Sequence, residues 1–572
     1  MAVRDDRAIW DAETFGEQMI DVTVGDLLDR QAEVVPDKEA LVYHYPEIEL
    51  RLRLTYAQLR DETNRVAKGL MALGIGVGDK VALLATNLPE WVLLELALAK
   101  IGAVLVTVNT NFQQAELEYV LGQADVHTLV LMEQHRSNNY VRSLKALLPQ
   151  LDTISDPAKD TVTSAAFPSF RRAVLLGERQ HPGLLPFARL LELSAAVSDQ
   201  ALSARQATVT PHHISQIQFT SGTTGAPKGA MITHHGTINN ARFVARRARL
   251  TADDRWLSAM PLFHTAGSVV DQLSILVSGG AVVRAIAFDA GKMLELIDRE
   301  KATVMNAVPT MIIAMLQEPR FKAGQFDTTS LRCVISGGAP IPVALMEQVK
   351  AQWGADPIIV FGMTEASPII TQTLPDDSFE LRSATVGLPL PHTEVKIVDP
   401  HGKAVGIEQS GEILVRGYNV MKGYYRMPAQ TAAAIDADGW LHSGDVASMD
   451  RHGYVRIVGR IKDMIIRGGE NVYPAEIEAS LMRHPSVREA QVVGVPDFFM
   501  GEEAVAVLQV KEGETLTEDE VRDYCRARLA RHKVPKYVRF VTEYPQTPSG
   551  KVKKFELRAA MITLLGLVPD RH

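Results

Sequence analysis

Two hydrophobic periodicities alternate along this chain. Between Leu59 and Leu73 apolar residues recur at helical spacing, Gly74 to Gly78 interrupts them, and Val81 to Ala85 is an apolar run of strand length. The succession repeats from Trp91 to Val108. From about residue 21 onward, helical segments trade places with short β-branched runs, which predicts an α/β body of sheets with helices packed on their faces. The longest apolar stretch, Leu88 to Val108, carries Glu90, Glu95 and Lys100 and is divided by Gly102. A membrane span would bury those ionisable groups in hydrocarbon, so a buried helix followed by a strand is expected instead.

The pattern loosens over residues 152–210, where Ser, Pro, Gly and Arg mix and one helix is expected near Phe187 to Ala196. That segment reads as a connecting excursion. No repeat of solenoid length and no low-complexity tract stands out. Near Arg460 the grammar changes. A strand ending in Val455-Arg-Ile-Val-Gly leads into a helix after Pro474, strands near Gln491 to Val495 and Val505 to Val510, and an amphipathic helix from Glu518 to Leu529. The expected fold is therefore a large layered N-terminal α/β domain of sheets with packed helices, followed by a small α+β C-terminal domain.

Composition narrows the function. A chain of 572 residues that is 46% hydrophobic and 22% charged is a multidomain globular protein with ample apolar surface for its cores. Sixty Lys+Arg against 68 Asp+Glu give a formal charge of -8, so no positive excess points to nucleic acid as a partner. The two cysteines, Cys333 and Cys525, lie in neither a CxxC pair nor a Cys/His cluster, which predicts a reducing compartment and no structural zinc. The charged start, Met1-Ala-Val-Arg-Asp-Asp, lacks the apolar core of a secretory signal, and the cytoplasm is the expected location.

The clearest chemistry lies between two β-prone segments, Ile214 to Thr220 and Ala230 to Thr233. The joining run is Ser221-Gly222-Thr223-Thr224-Gly225-Ala226-Pro227-Lys228-Gly229. Its glycines let backbone N–H groups turn toward a ligand, its hydroxyls add donors, and Lys228 adds positive charge, a combination suited to a polyphosphate. The spacing is not that of a Walker A loop, and a strand rather than a helix follows, so a P-loop NTPase is disfavoured. On composition alone a flexible Ser/Thr/Gly hairpin would also fit.

The run Thr220-Ser-Gly-Thr-Thr-Gly-Ala-Pro-Lys-Gly resembles the signature of the adenylate-forming superfamily, which comprises acyl-CoA synthetases, peptide-synthetase adenylation domains and luciferases. The resemblance assigns Thr220, Ser221, Gly222, Thr223, Thr224, Gly225 and Lys228 to ATP. Further stations follow in the family's order. Pro261-Leu-Phe-His264 resembles the segment whose His lies beside the acyl pocket, although a lone His after an apolar strand is more often structural. Ser336-Gly-Gly338-Ala339-Pro340 resembles the turn lining adenine. Phe361-Gly362-Met363-Thr364-Glu365 resembles the segment with an aromatic ring against adenine, a Thr near the phosphate and a Glu on Mg2+. Phe361 stands where many members carry Tyr; the stacking face is kept. His442-Ser-Gly-Asp445 resembles the station whose carboxylate accepts the ribose hydroxyls, and Gly459-Arg460 the ribose-contacting Arg. Outside this context Glu365 would be a solvated charge and Asp445 a turn cap.

The resemblance also places a pivot at Lys462, dividing the chain into domains 1–461 and 462–572. Gly468-Gly469-Glu470 matches the loop bordering the pantetheine tunnel in the family's ligases; on its own it marks a close backbone approach to a ligand or strand. Pro548-Ser-Gly550-Lys551 matches the station whose Lys enters the site during adenylation. Catalytic roles thus fall to Lys551, His264 and Thr364. The stretch from Val458 to Glu478 most resembles the fatty-acyl-CoA synthetases, especially the medium-chain type known as acyl-CoA synthetase family member 2.

These resemblances imply an acid–thiol ligase that uses ATP, Mg2+ and coenzyme A on a carboxylic acid of medium to long chain. An aryl acid, or delivery of the acyl group to a carrier protein, are the alternatives within the family. A noncatalytic nucleotide-binding protein is disfavoured because Glu365, Asp445, Arg460 and Lys551 are retained together. The segment Ser268-Val-Val-Asp271-Gln-Leu is a candidate for the acid pocket, although such spacing is more common in a core. Peripheral membrane contact and a homodimer are left open.

Overall fold

The computed structural model describes residues 3, 6–220, 227–339, 341–468, 470–546 and 552–567. Among these residues the N-terminal body is built on three large sheets. One has seven strands, in the order Leu185–Pro186, Arg172–Leu176, Thr128–Met132, Lys80–Leu84, Val104–Thr107, Ile214–Thr220 and Lys228–Thr233. Only the last pairing is antiparallel. A nine-stranded sheet runs from Leu388–Pro389 to Leu50–Thr55; its parallel centre includes Arg255–Ser258, Val304–Asn306, Cys333–Gly337 and Asp356–Gly362. The third is an antiparallel five-stranded sheet ending in Gly411–Gly417, Leu441–Met449 and Val455–Arg460.

Strand alternation distributes the core. Val81 and Leu83 face one way, into a cluster shared with Leu41, Tyr43, Trp256 and Val282 of the nine-stranded sheet. Ala82 and Leu84 face the other way, under the helices Gln114–Gln123 and Tyr140–Leu147. The shared cluster also holds helix Pro89–Ile101, which is buried nearly all round. That burial explains why the longest apolar run in the chain is a core element; among the described residues no helix is long and apolar enough to cross a membrane. Glu95 and Lys100 remain inside because they are partnered: Glu95 accepts from Gln216 at 2.8 Å, and Lys100 pairs with Asp29.

Residues 152–210 are more than an excursion. Phe187–Leu193 is the expected helix, but Arg172–Leu176 is a strand of the seven-stranded sheet, parallel to Thr128–Met132. This corrects the sequence reading: a five-residue buried strand has no alternation to reveal it, and its partner lies some forty residues away.

A separate sheet begins after Arg460. Glu470–Val472, Ile465–Arg467, Gly501–Val510 and Val487–Asp497 pair antiparallel, and Tyr537–Phe540 joins in parallel. Helices Pro474–Leu481 and Glu518–Arg526 cover one face and Lys554–Leu564 the other, each face with its own apolar cluster. The layered α/β body with a small α+β unit behind it is the architecture expected from the pattern.

Candidate active site

The strand Ile214–Thr220 and its neighbour Lys228–Thr233 form a hairpin, with Thr220 opposite Lys228. Ser221, Gly222, Thr223, Thr224 and Gly225 lie outside the described residues, as do Pro340, Gly469 and Lys551. The base of the loop is fixed from below. Gln218 donates to Gln216 at 2.7 Å and to Ser268 at 3.0 Å, while Gln216 donates to Glu95 at 2.8 Å. Ser268 in turn donates to the carbonyl of His264 at 3.2 Å. A buried hydrogen-bond chain therefore joins the strand entering the loop to the His264 turn. Burial pushes the Glu95 carboxyl up to about 8, despite the nearby Arg284.

The segment Ser268 to Leu273 belongs to this buried layer. It is a π-helical turn followed by an α-helix, and Asp271 is fully buried between Ser258 and Asn306, with Asn306 donating at 2.6 Å. Burial pushes Asp271 up to about 7. His264 is half-buried at the turn above, its ring tilted against Phe263 at 4.7 Å.

Two further stations sit at the C-terminal ends of parallel strands, where ligands bind in open α/β sheets. Gly338 and Ala339 follow strand Cys333–Gly337, and Phe361 and Gly362 end the neighbouring strand Asp356–Gly362, with Met363 just after it. A side chain on Gly362 would collide with the backbone of Pro368, so only Gly lets the chain fold back there. The fold-back places Thr364 and Glu365 in a short 3-10 turn.

Glu365 is 7% exposed and accepts the hydroxyl of Tyr424 at 2.7 Å. Lys228 lies 4.7 Å from the centre of the same ring. Residues 422–425 hold Tyr424 there by pairing with the hairpin: Met231 N–H donates to Gly423, and Tyr425 N–H donates to Gly229. Lys228, Tyr424 and Glu365 thus form one cluster across two sheets. Burial and the adjacent carboxylate raise the Tyr424 phenol, so it stays a donor.

On the five-stranded sheet Asp445 stands opposite Arg460, and the two pair at 2.8 Å. Asp445 is 4% exposed, whereas Arg460 reaches solvent. Glu412 on the neighbouring strand fixes the start of this strand, accepting from Gly444 N–H at 3.0 Å and meeting the His442 ring at 3.0 Å. Lys462 follows; partial desolvation first, then Arg460, holds its ammonium below the usual lysine range.

Gly468 turns the hairpin between Ile465–Arg467 and Glu470–Val472 with a φ of +59. Its N–H donates to Met500 at 2.7 Å, and a Cβ there would sit 2.6 Å from the Met500 methyl. The close approach found here is to Met500, in the turn between strands Val487–Asp497 and Gly501–Val510 of the same sheet. Glu470 beside it is exposed.

With this geometry come two sequence matches: residues 28–425 to the family described as AMP-binding enzyme, and residues 476–551 to the AMP-binding enzyme C-terminal domain. The chain belongs to the AMP-binding enzyme family. It is 43% identical over 553 residues to the Bacillus subtilis protein named "Putative acyl-CoA synthetase YngI", covering 96% of this chain and 99% of that one. It is 38% identical over 551 residues to the mitochondrial medium-chain acyl-CoA ligase ACSF2 of Rattus norvegicus, covering 95% and 88%. The crystal structure of the anthranilate CoA ligase AuaEII in complex with anthranoyl-AMP superposes with a TM-score of 0.83 at 27% identity, covering 96% and 99%.

In this AMP-binding enzyme, Tyr424 and Glu412 were not anticipated from the sequence. Gly423-Tyr-Tyr carries no local sign of its partners, because the contact to Glu365 depends on pairing between segments nearly two hundred residues apart. Glu412 had a weak signal: an acid inside the apolar strand Gly411–Gly417 needs a donor across the sheet.

Proposed function

We propose that this AMP-binding enzyme is an ATP-dependent acid–CoA ligase whose acid is a fatty acid of medium to long chain. The observation that carries the reading is the Lys228–Tyr424–Glu365 cluster. Glu365 is a nearly buried carboxylate whose hydrogen-bond partner among the described residues is a neutral phenol, with no Lys or Arg paired to it. Such an anion calls for a cation, and its hard oxygens suit Mg2+ held together with phosphate oxygens. When bound, Mg2+ supplies positive charge to the phosphates.

In the first half-reaction a carboxylate oxygen attacks the α-phosphorus of ATP. The bond from that phosphorus to the bridging oxygen breaks, and pyrophosphate leaves with the electron pair. Two anions must meet, so the protein's contribution is charge and position. Lys228 and the loop 220–225 face the polyphosphate, with Thr364 beside it. Gly338, Ala339, Pro340, Phe361, Gly362 and Met363 hold adenine, and Asp445, steadied by Arg460, accepts the ribose hydroxyls. Lys551 adds charge at the reacting phosphate.

In the second half-reaction the sulfur of CoA attacks the acyl carbon, forms the thioester and expels AMP, with His264 beside the acyl group. Lys551 must withdraw before the thiol can enter. The proposed pivot is Lys462, between domains 1–461 and 462–572, with Gly468, Gly469 and Glu470 lining the thiol's path. In support, Val455–Arg460 closes one sheet and Ile465–Arg467 opens another. Lys551→Ala should suppress adenylate formation by about a hundredfold or more, the scale of losing one transition-state donor, and spare thioesterification of supplied acyl-AMP. Equal loss of both in a folded variant would sink this division of labour.

The likeness to AuaEII supports an aryl acid as the second reading. One experiment separates the two: pyrophosphate release over straight-chain acids from acetate to stearate and over aryl acids, each with CoA, with holo-carrier protein, or with neither. Turnover of medium or long aliphatic acids to the CoA thioester is expected. Turnover confined to aryl acids, or transfer only to the carrier, replaces the proposal.

A further inference from the structure

The hairpin Ile214–Thr220/Lys228–Thr233 carries a second group of chemically able side chains at the end opposite the phosphate loop. His212 precedes its first strand, and His235 follows its second, at the start of helix His234–Arg247. Lys228 and Thr233 are five residue steps apart, about 17 Å of extended chain, so this end is remote from the nucleotide loop. The N-terminal segment crosses here. Ile20 N–H donates to Asn239 at 2.8 Å, Asn239 donates back to Ile20 at 3.0 Å, and Asp21 meets the His235 Nδ1 at 2.9 Å. The His212 and His235 rings lie 4.9 Å apart, and His235 N–H donates to Pro211 at 2.7 Å. Donor atoms of Asp21, His212 and His235 all fall within 4.8 Å of one another.

We propose that Asp21, His212 and His235 form a binding site for a late first-row divalent metal ion, Zn2+ foremost, distinct from the nucleotide's Mg2+. Two imidazoles and a carboxylate are a donor set for Zn2+ or Co2+, whereas Mg2+ prefers oxygens alone. Bonds of about 2.1 Å in a tetrahedral site put donors about 3.4 Å apart, so a shift of about an ångström closes the set. The geometry allows that shift: Asp21 and His212 are exposed, while His235 is anchored at 12% side-chain exposure by its backbone and by the edge of Tyr418. The fourth position falls to solvent. Asp21 is distant in the chain from the hairpin that both histidines flank, so the bound ion ties the N-terminal segment to the hairpin and stabilises the folded state by mass action.

The test is Co2+ titration of the nucleotide-free full-length protein, followed by visible absorption, with Zn2+ competition and thermal melts. Glu365→Gln serves to remove the other candidate cation site. Wild type and Glu365→Gln should each bind one Co2+ with the intense bands of a low-coordinate site, lose them to Zn2+, and melt higher with Zn2+ present. Asp21→Asn and His212→Gln alter exposed side chains; both should melt like wild type without metal and bind more than about tenfold more weakly. Undiminished binding by both variants overturns the proposal. So does loss of the Co2+ signal in Glu365→Gln alone, or the absence of saturable binding in wild type.

Discussion

The two regions proposed to serve the two half-reactions are built differently. Around the nucleotide stations, side chains stand on strands of three sheets and are locked from behind. Glu95, Gln216, Gln218 and Ser268 link helix, hairpin and His264 turn, Tyr424 ties Glu365 to Lys228, and Asp445 is buried against Arg460. The region after Lys462 presents its candidates on short turns. Gly468 and Glu470 lie at a hairpin tip, Ile466 is half-exposed, and Phe498 and Phe499 are 95% and 89% exposed on the next turn. A site that must stabilise charge developing on fixed phosphates gains from preorganisation. A surface that admits a thiol only after a rearrangement need be assembled only then. Rigidity and exposure thus follow the proposed order of the chemistry.

Glu365→Gln is the largest expected break in this contrast. It keeps an acceptor for Tyr424 but removes the charge, and adenylation measured as pyrophosphate release should fall by about a hundredfold, with thioesterification of supplied acyl-AMP within a few-fold of wild type. Comparable loss of both would mean that the rigid region serves the two steps alike. Gly468→Val probes the other side. A side chain at a φ of +59 strains the backbone and meets Met500, so thioesterification should drop about tenfold while pyrophosphate release stays near wild type. A fall in adenylation alone would reverse the assignment of the hairpin.

Tyr424→Phe asks how much of the rigidity is the phenol's. The ring beneath Lys228 remains, and only the donor to Glu365 is lost. A hydrogen bond to a charged group is worth about 1.5–3 kcal/mol, and solvent or a cation can replace part of it, so kcat/KM for ATP should fall by about five- to tenfold. An unchanged value would reduce Tyr424 to packing.

What could be read from the sequence divides along the same line. The hairpin 214–233 was legible because a β-prone strand runs straight into Gly-rich text and another follows, a purely local signal. Helix Pro89–Ile101 was legible from an apolar run interrupted only by Glu90, Glu95 and Lys100 and from the Gly102 that ends it. Arg172–Leu176 and Tyr424 were not, because strand pairing and a side chain's partner depend on residues distant in the chain. Asp271 shows the same limit: its segment suggested either pocket or core, and only the contacts to Ser258 and Asn306 reveal a buried polar layer. In the small domain strands Val487–Asp497 and Gly501–Val510 and helices Pro474–Leu481 and Glu518–Arg526 were anticipated with ends off by a few residues, whereas the short strands Ile465–Arg467, Glu470–Val472 and Tyr537–Phe540, helix Lys554–Leu564 and the exposed Phe498–Phe499 turn carried no pattern that marked them.

The smallest predicted effect concerns stability rather than turnover, and it tests whether the layer beneath the loop is as dry as its burial implies. Glu95 titrates in the folded state at about 8, against an ordinary 4.5, because burial disfavours its charge. A raised carboxyl means that the folded state holds its proton more tightly than the unfolded chain. This contribution is therefore complete below about 4.5 and is lost as pH rises toward 8, and Asp271, raised to about 7, acts in the same direction. Glu95→Gln keeps the shape and the acceptor for Gln216 but cannot ionise. Urea midpoints taken from pH 5 to 8 should decline less steeply in the variant, and its stability relative to wild type should rise across that range by at least about 1 kcal/mol, roughly one pKa unit. Parallel decline of the two proteins would mean that water reaches Glu95, and the proposed contrast between a sealed nucleotide region and an open thiol region would lose its firmest support.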